Sequence, residues 1–124
     1  MVWKGVIIKE SLEDDSVLKL VKIIKSRKTT LEKEAERGFL TFLCVEIKDQ
    51  DKNTLINKLK SSIKGGFYMH IVKENIMIVI YKNKVFEFTS EEKNKLEEAR
   101  NYGLSIGILK EQLPFENLIK NPYD

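Results

Sequence analysis

Hydrophobic positions along this chain recur with two periods, and each change of period marks an element. "VWKGVIIKE" at the start is a short apolar run with β-branched residues and reads as a strand. Ser11 then offers a helix cap, with Glu13, Asp14 and Asp15 in the first turn, where acids favour the positive end of a helix dipole. Val17, Leu20, Val21 and Ile24 keep helical spacing, yet "LVKIIKSRKTTL" also reads as a β-branched strand, so Val17–Lys28 fits either state. The preferred division is a helix over about 12–19 and a strand over about 20–31. "EKEAER" follows as a charged turn closed by Gly38. "FLTFLCVEIK" is apolar on both sides, with Phe39, Leu43, Val45 and Ile47 on one and Leu40, Phe42 and Cys44 on the other, which suggests an interior strand. Asp49 or Asp51 can cap a helix whose apolar stripe is Leu55, Ile56, Leu59 and Ile63, and Gly65 and Gly66 stop it.

The next segments, "FYMHIVK", "IMIVIYK" and "VFEF", form a meander with polar turns at Glu74-Asn75 and Asn83-Lys84. Thr89 and Glu92 make a capping box for a helix running towards Gly103 or Gly107, and Phe115, Leu118 and Ile119 pin the tail to the body. This order predicts a single α+β domain over residues 1–124: a ferredoxin-like βαββαβ sandwich with an extra strand and a C-terminal helix. Such a sheet carries helices on one face. Its other face must be solvated, covered by the tail or buried in a partner.

Alternation sets Phe67, Met69 and Ile71 beneath the helices and turns Tyr68, His70 and Val72 to the second face, near aromatics such as Trp3 or Tyr81. "IMIVIY" is apolar at every position, so both sides of that strand need cover. A large exposed apolar patch usually marks an interface. The second face is therefore expected to be a homodimer surface or a groove for a small-molecule ligand, making the chain a ligand- or partner-binding module. His70, the only histidine, either works there or bonds a neighbouring backbone group without doing chemistry.

Composition narrows the chemistry. With 42% hydrophobic and 33% charged residues the chain belongs with soluble globular domains, not disordered ones. No apolar run approaches the roughly 18 residues of a membrane span, which points to the cytoplasm and to no membrane partner. A single cysteine, Cys44, sits in an apolar strand and reads as a buried inert thiol. One Cys and one His cannot make a zinc site, "ESLEDD" lacks the glycine and ligand alternation of an EF-hand, and no phosphate-cradling loop is present. No metal or cofactor is indicated. The net charge is +3, and among the 22 cations only Arg27, Arg37 and Arg100 are arginines, so nucleic acid is a possible partner and not the favoured one. Single-stranded RNA binding is the alternative: "KGGFYMHIV" is similar to the aromatic strand of RNA-recognition domains, with Met69 where that motif places an aromatic. Lys19, Lys22, Lys25, Arg27 and Lys28 could track a backbone in that reading. A second alternative is a small enzyme using His70 as acid or base, which requires an acid or nucleophile within hydrogen-bond reach.

Three segments, "SIKGGFYMHIV", "NKVFEF" and "ARNYGLSIGILKEQLPFE", carry a resemblance. The chain resembles a family of small prokaryotic proteins of uncharacterised function over nearly its full length. The pattern is an Ile-Lys-x-Gly-aromatic-Tyr-x-His segment, then a Tyr-Gly-x-Ser-x-Gly-Ile-Pro-x-Glu-Gln-Leu segment in which Leu109 replaces the proline. The resemblance implies a cytoplasmic stand-alone domain and brings no activity. Tyr102, Gly103, Ser105 and Gly107 place small residues in the last helical turns, which allows close backbone approach. The alternative is a packed helix end with Gly107 as its C-cap. The candidate ligand-binding residues are thus Tyr68, His70, Tyr102 and Ser105.

Overall fold

The computed structural model describes residues 2–29 and 40–123. The expected charged turn with Gly38, the residue Phe39 and the far end of the predicted strand 20–31 lie outside the described residues. Six strands form one antiparallel sheet: β1 (Val2–Ile8), β2 (Lys22–Thr29), β3 (Leu40–Lys48), β4 (Met69–Lys73), β5 (Ile76–Tyr81) and β6 (Lys84–Thr89), in the order β2-β3-β1-β4-β5-β6. Among the described residues the α-helices are α1 (Lys52–Ser62), α2 (Lys93–Ser105) and α3 (Phe115–Lys120). The chain is therefore of mixed α and β class, with an antiparallel sheet, as its patterning predicts. No helix among the described residues is long and apolar enough to cross a membrane.

Where the sequence allowed helix or strand, the chain uses both. Asp15–Leu20 is a 3-10 turn, opened by the Asp14 carboxylate accepting from the Ser16 N–H at 2.9 Å. It drives Val17 into the core before the β-branched residues continue as β2. Ser11 does not cap it. Its hydroxyl donates to the Ile8 carbonyl at 2.6 Å.

Strand alternation sorts the core into two layers. Trp3, Ile7, Val45, Ile47, Met69 and Ile71 face α1, where Leu55 and Leu59 meet them. Val72, Met77, Val79, Tyr81 and Phe88 face the opposite way, beneath Leu96 and Ala99 of α2 and Phe115, Leu118 and Ile119 of α3. Helices thus cover both sheet faces, which corrects the expectation of helices on one face. Each large apolar side chain so buried is worth roughly 1.5–3 kcal/mol, and the chain's own C-terminal third collects that gain. The homo-oligomer expectation rested on a bare apolar second face, and α2 and α3 remove that argument. Trp3 also lies on the α1 side, away from Tyr68 and His70; its Nε1–H donates to Asp49 at 2.8 Å.

Helix ends follow their local chemistry with two adjustments. Ile63 turns extended after α1 and bridges to Leu12, so the helix stops before the glycine pair. Gly66, at φ 87°, instead shapes the turn into β4, in which the Phe67 N–H donates to the Lys64 carbonyl at 3.3 Å. Asp51 occupies the α1 N-cap without a side-chain bond, while Asp49 is held by Trp3 and Lys73. Glu92 accepts from the Thr89 N–H at 3.0 Å, one half of the capping box. Gly107, at φ 95°, ends α2 with Ile108 N–H donating to Gly103 and Gly107 N–H to Leu104, the paired bonds of a Schellman motif.

Candidate ligand cleft on the second sheet face

Helices α2 and α3 pack on β4, β5 and β6. Towards β1 and β3 the second face opens into a cleft of about 270 Å³. Its floor is Val6, Ile8, Phe42 and His70, all on one side of the sheet by alternation. Its far wall comes from the segment after α2, with Ile108 and Gln112, and from Leu118 of α3. Among the described residues, Arg27 and Glu111 are the charged ones that line it.

Arg100 fixes that wall. Its buried guanidinium donates from Nε to the Leu113 carbonyl at 3.3 Å, from Nη1 to Glu97 at 2.6 Å and from Nη2 to Glu116. One side chain therefore ties α2 to the turn before α3 and to α3 itself. Tyr81 adds a second tie, its hydroxyl donating to the Ala99 carbonyl at 2.7 Å.

His70 lies in register with Val6 on one side and Val79 on the other, and is 5% exposed. Its Nε2 stands 2.7 Å from the carbonyl oxygen of Pro122. A carbonyl only accepts, so Nε2 carries the proton. Burial pulls the imidazole pKa down to about 4, against a smaller upward pull from that hydrogen bond. The ring is accordingly neutral at physiological pH, with a lone pair on Nδ1. Among the described residues no donor meets that nitrogen. A buried acceptor without a partner costs about 1–3 kcal/mol, and a ligand donor would relieve it.

Tyr68 is a wall and not a free hydroxyl. It donates to the Gln112 carbonyl, and its ring meets Phe115 edge-on at 5.6 Å and Tyr81 at 6.0 Å. Burial pushes its phenol well above the usual range. The half-buried ring has thus given its edges to the core, whereas the RNA reading needs it as an open stacking platform.

The other two candidates stand elsewhere. Tyr102 packs on Tyr81 at 4.8 Å and on Phe86 at 5.6 Å, and the exposed Ser105 hydroxyl donates to the Tyr102 carbonyl at 2.6 Å. Neither lines the cleft. Their neighbour Gly103 makes the close approach instead, against Tyr81 and Leu113.

No family model, curated protein or solved structure matches this chain. The chemistry must be read from the cleft itself. Cys44 and His70 both pair with Val6, from opposite sides, so their backbones lie two strand spacings apart, roughly 10 Å. No carboxylate or thiol bonds the imidazole among the described residues. The arrangement suits binding: an apolar floor, one buried acceptor and one cation.

Sequence reasoning missed Arg27, Phe42 and Glu111 as cleft residues. Arg27 reaches the second face through the β2 register after a bulge between Ile23 and Lys25, and a bulge inverts the parity that alternation would assign. Glu111 and Gln112 were visible only as part of the segment "KEQL" in the resemblance.

Proposed function

We propose that this chain is a small-molecule-binding module whose site is the cleft between β1, β3, β4 and the segment after α2. The observation that carries the reading is His70: a buried neutral imidazole on the cleft floor with one nitrogen paired and the other lacking a donor. Two of the three segments that carry the family resemblance also meet here. Gly66, Tyr68 and His70 come from the first, and Ile108, Glu111 and Gln112 from the second.

The scaffold reading follows the same lines. We take residues 2–29 and 40–73 as a ferredoxin-like βαββαβ unit in which the 3-10 turn at Asp15–Leu20 stands for the first helix. The strand order β2-β3-β1-β4 and the shared packing of Val17 and α1 on one face support that assignment. β5 and β6 then extend the sheet by two strands where one was expected, and two helices, α2 and α3, in place of one build the cleft wall on the other face.

Titration with single-ring fragments, followed in proton–nitrogen correlation spectra, tests the proposal. Binding is expected to move the His70 ring nitrogens and the Gln112 amide together, with dissociation constants in the range of about 1 μM to 1 mM. A chemically broad fragment set that leaves those signals unmoved would sink it.

A further inference from the structure

We infer that the cleft takes a small amphipathic acid: a single ring whose hydrogen-bond donor meets His70 and whose carboxylate meets Arg27. The inference rests on the cleft being a ligand site, as proposed above, and adds the chemistry of the occupant.

Size limits the ligand first. At about 270 Å³ the cleft exceeds the roughly 150 Å³ that holds a benzene and falls just below the roughly 300–1,000 Å³ typical of drug-sized ligands. One ring with a short side chain fills it. The floor of Val6, Ile8 and Phe42 suits the ring, since each of these is half-buried and offers apolar surface without a polar atom.

The two ends differ in charge. With its Nε2 proton committed to Pro122, His70 has a lone pair and no further proton to give, so as a lining residue it selects a donor such as a phenol hydroxyl or an indole N–H. Arg27 holds its guanidinium carbon 5.5 Å above the centre of the Phe42 ring. Among the described residues it has no carboxylate partner, whereas the guanidinium of Arg100 is consumed by Glu97, Glu116 and Leu113. A planar guanidinium parked on an aromatic face, with its fork unfilled, matches a carboxylate in a bidentate pair. In the observed register, the Cα atoms of Phe42 and His70 lie roughly 12 Å apart along the sheet. Both side chains line the cleft, so a para-substituted ring with one intervening carbon is of a length to reach from one end to the other. Glu111 on the opposite wall adds a negative charge that turns the carboxylate towards Arg27.

Calorimetry with para-hydroxyphenylacetate and matched analogues tests this on the unmodified protein. The acid is expected to bind at least about tenfold tighter than its carboxamide, and about fivefold tighter than phenylacetate, which lacks the donor. Arg27→Gln, an exposed edge-strand change, should erase the preference for acid over amide, Arg27→Lys should restore only part of it, and Glu111→Gln should strengthen acid binding. Equal affinity for acid and amide, or tighter binding of tyramine than of the acid, would overturn the assignment while leaving the cleft a ligand site. Silence from every probe, together with unmoved His70 signals across the broader fragment set, would overturn both readings.

Discussion

His70 and Pro122, 52 residues apart, are joined by a 2.7 Å hydrogen bond from the imidazole Nε2 to the backbone carbonyl. The contact straps the end of the chain across the second sheet face. It also fixes the tautomer on which the cleft's chemistry depends.

That burial makes stability pH-dependent in a defined window. The folded-state pKa, about 4, lies below the ordinary value of 6.5, so the unfolded chain binds more protons between these limits. Stability is full above pH 6.5 and is lost as pH falls towards 4, by on the order of 3 kcal/mol. Carboxylates held down by partners, such as Glu13 beside Lys82 and Glu92 beside Lys95, stabilise the fold above their ordinary value of 4.5 and lose that contribution as pH falls through it, starting about one unit higher. Urea unfolding between pH 6.5 and about 5.5, above the carboxylate range, should therefore show a falling midpoint in the parent chain and a nearly flat one in His70→Gln. Parallel curves would refute the assignment.

The glycines rank by what surrounds them. A Cβ on Gly5 would stand 2.0 Å from the His70 carbonyl oxygen, in the middle of the β1–β4 ladder, where only backbone could yield. At Gly103 it would meet the Tyr81 hydroxyl at 2.7 Å and Leu113 at 3.1 Å, and that hydroxyl is already committed to Ala99. Nothing stands within 4 Å at Gly65. Gly5→Ala is expected to cost roughly 3 kcal/mol or more, and Gly103→Ala about 1–2 kcal/mol after the helix gain of about 1 kcal/mol is offset. Gly65→Ala should stay within about 0.5 kcal/mol of the parent. Chemical denaturation of the three variants checks the order, and any inversion contradicts the packing described.

The tail also runs beside the one thiol. Cys44 is fully buried, and Tyr123 lies close enough to feel it while donating to the Val45 carbonyl at 3.0 Å. Ending the chain at Asn121 removes Tyr123 and leaves the His70 Nε2–H without its acceptor, a loss of about 1–3 kcal/mol. Native-state labelling of Cys44 should accelerate about tenfold or more in the shortened chain, read by mass spectrometry. An unchanged rate would mean that other side chains seal the thiol.

Much of this was legible in the amino-acid string. Alternation assigned Met69 and Ile71 to one face and His70 and Val72 to the other, because side chains on a strand change sides at every residue whatever the strand pairs with. The apolar run "IMIVIY" declared that both sides of β5 would be covered, and both are. What covers them was decided by the fold. Excluding water from Met77, Val79 and Tyr81 yields the same gain under a partner subunit as under Leu96, Ala99 and Phe115, so local pattern encodes burial and not the identity of the burying surface. Only long-range contacts, Arg100 to Glu116 and His70 to Pro122 among them, chose the chain's own C-terminal helices and left a cleft where that cover ends.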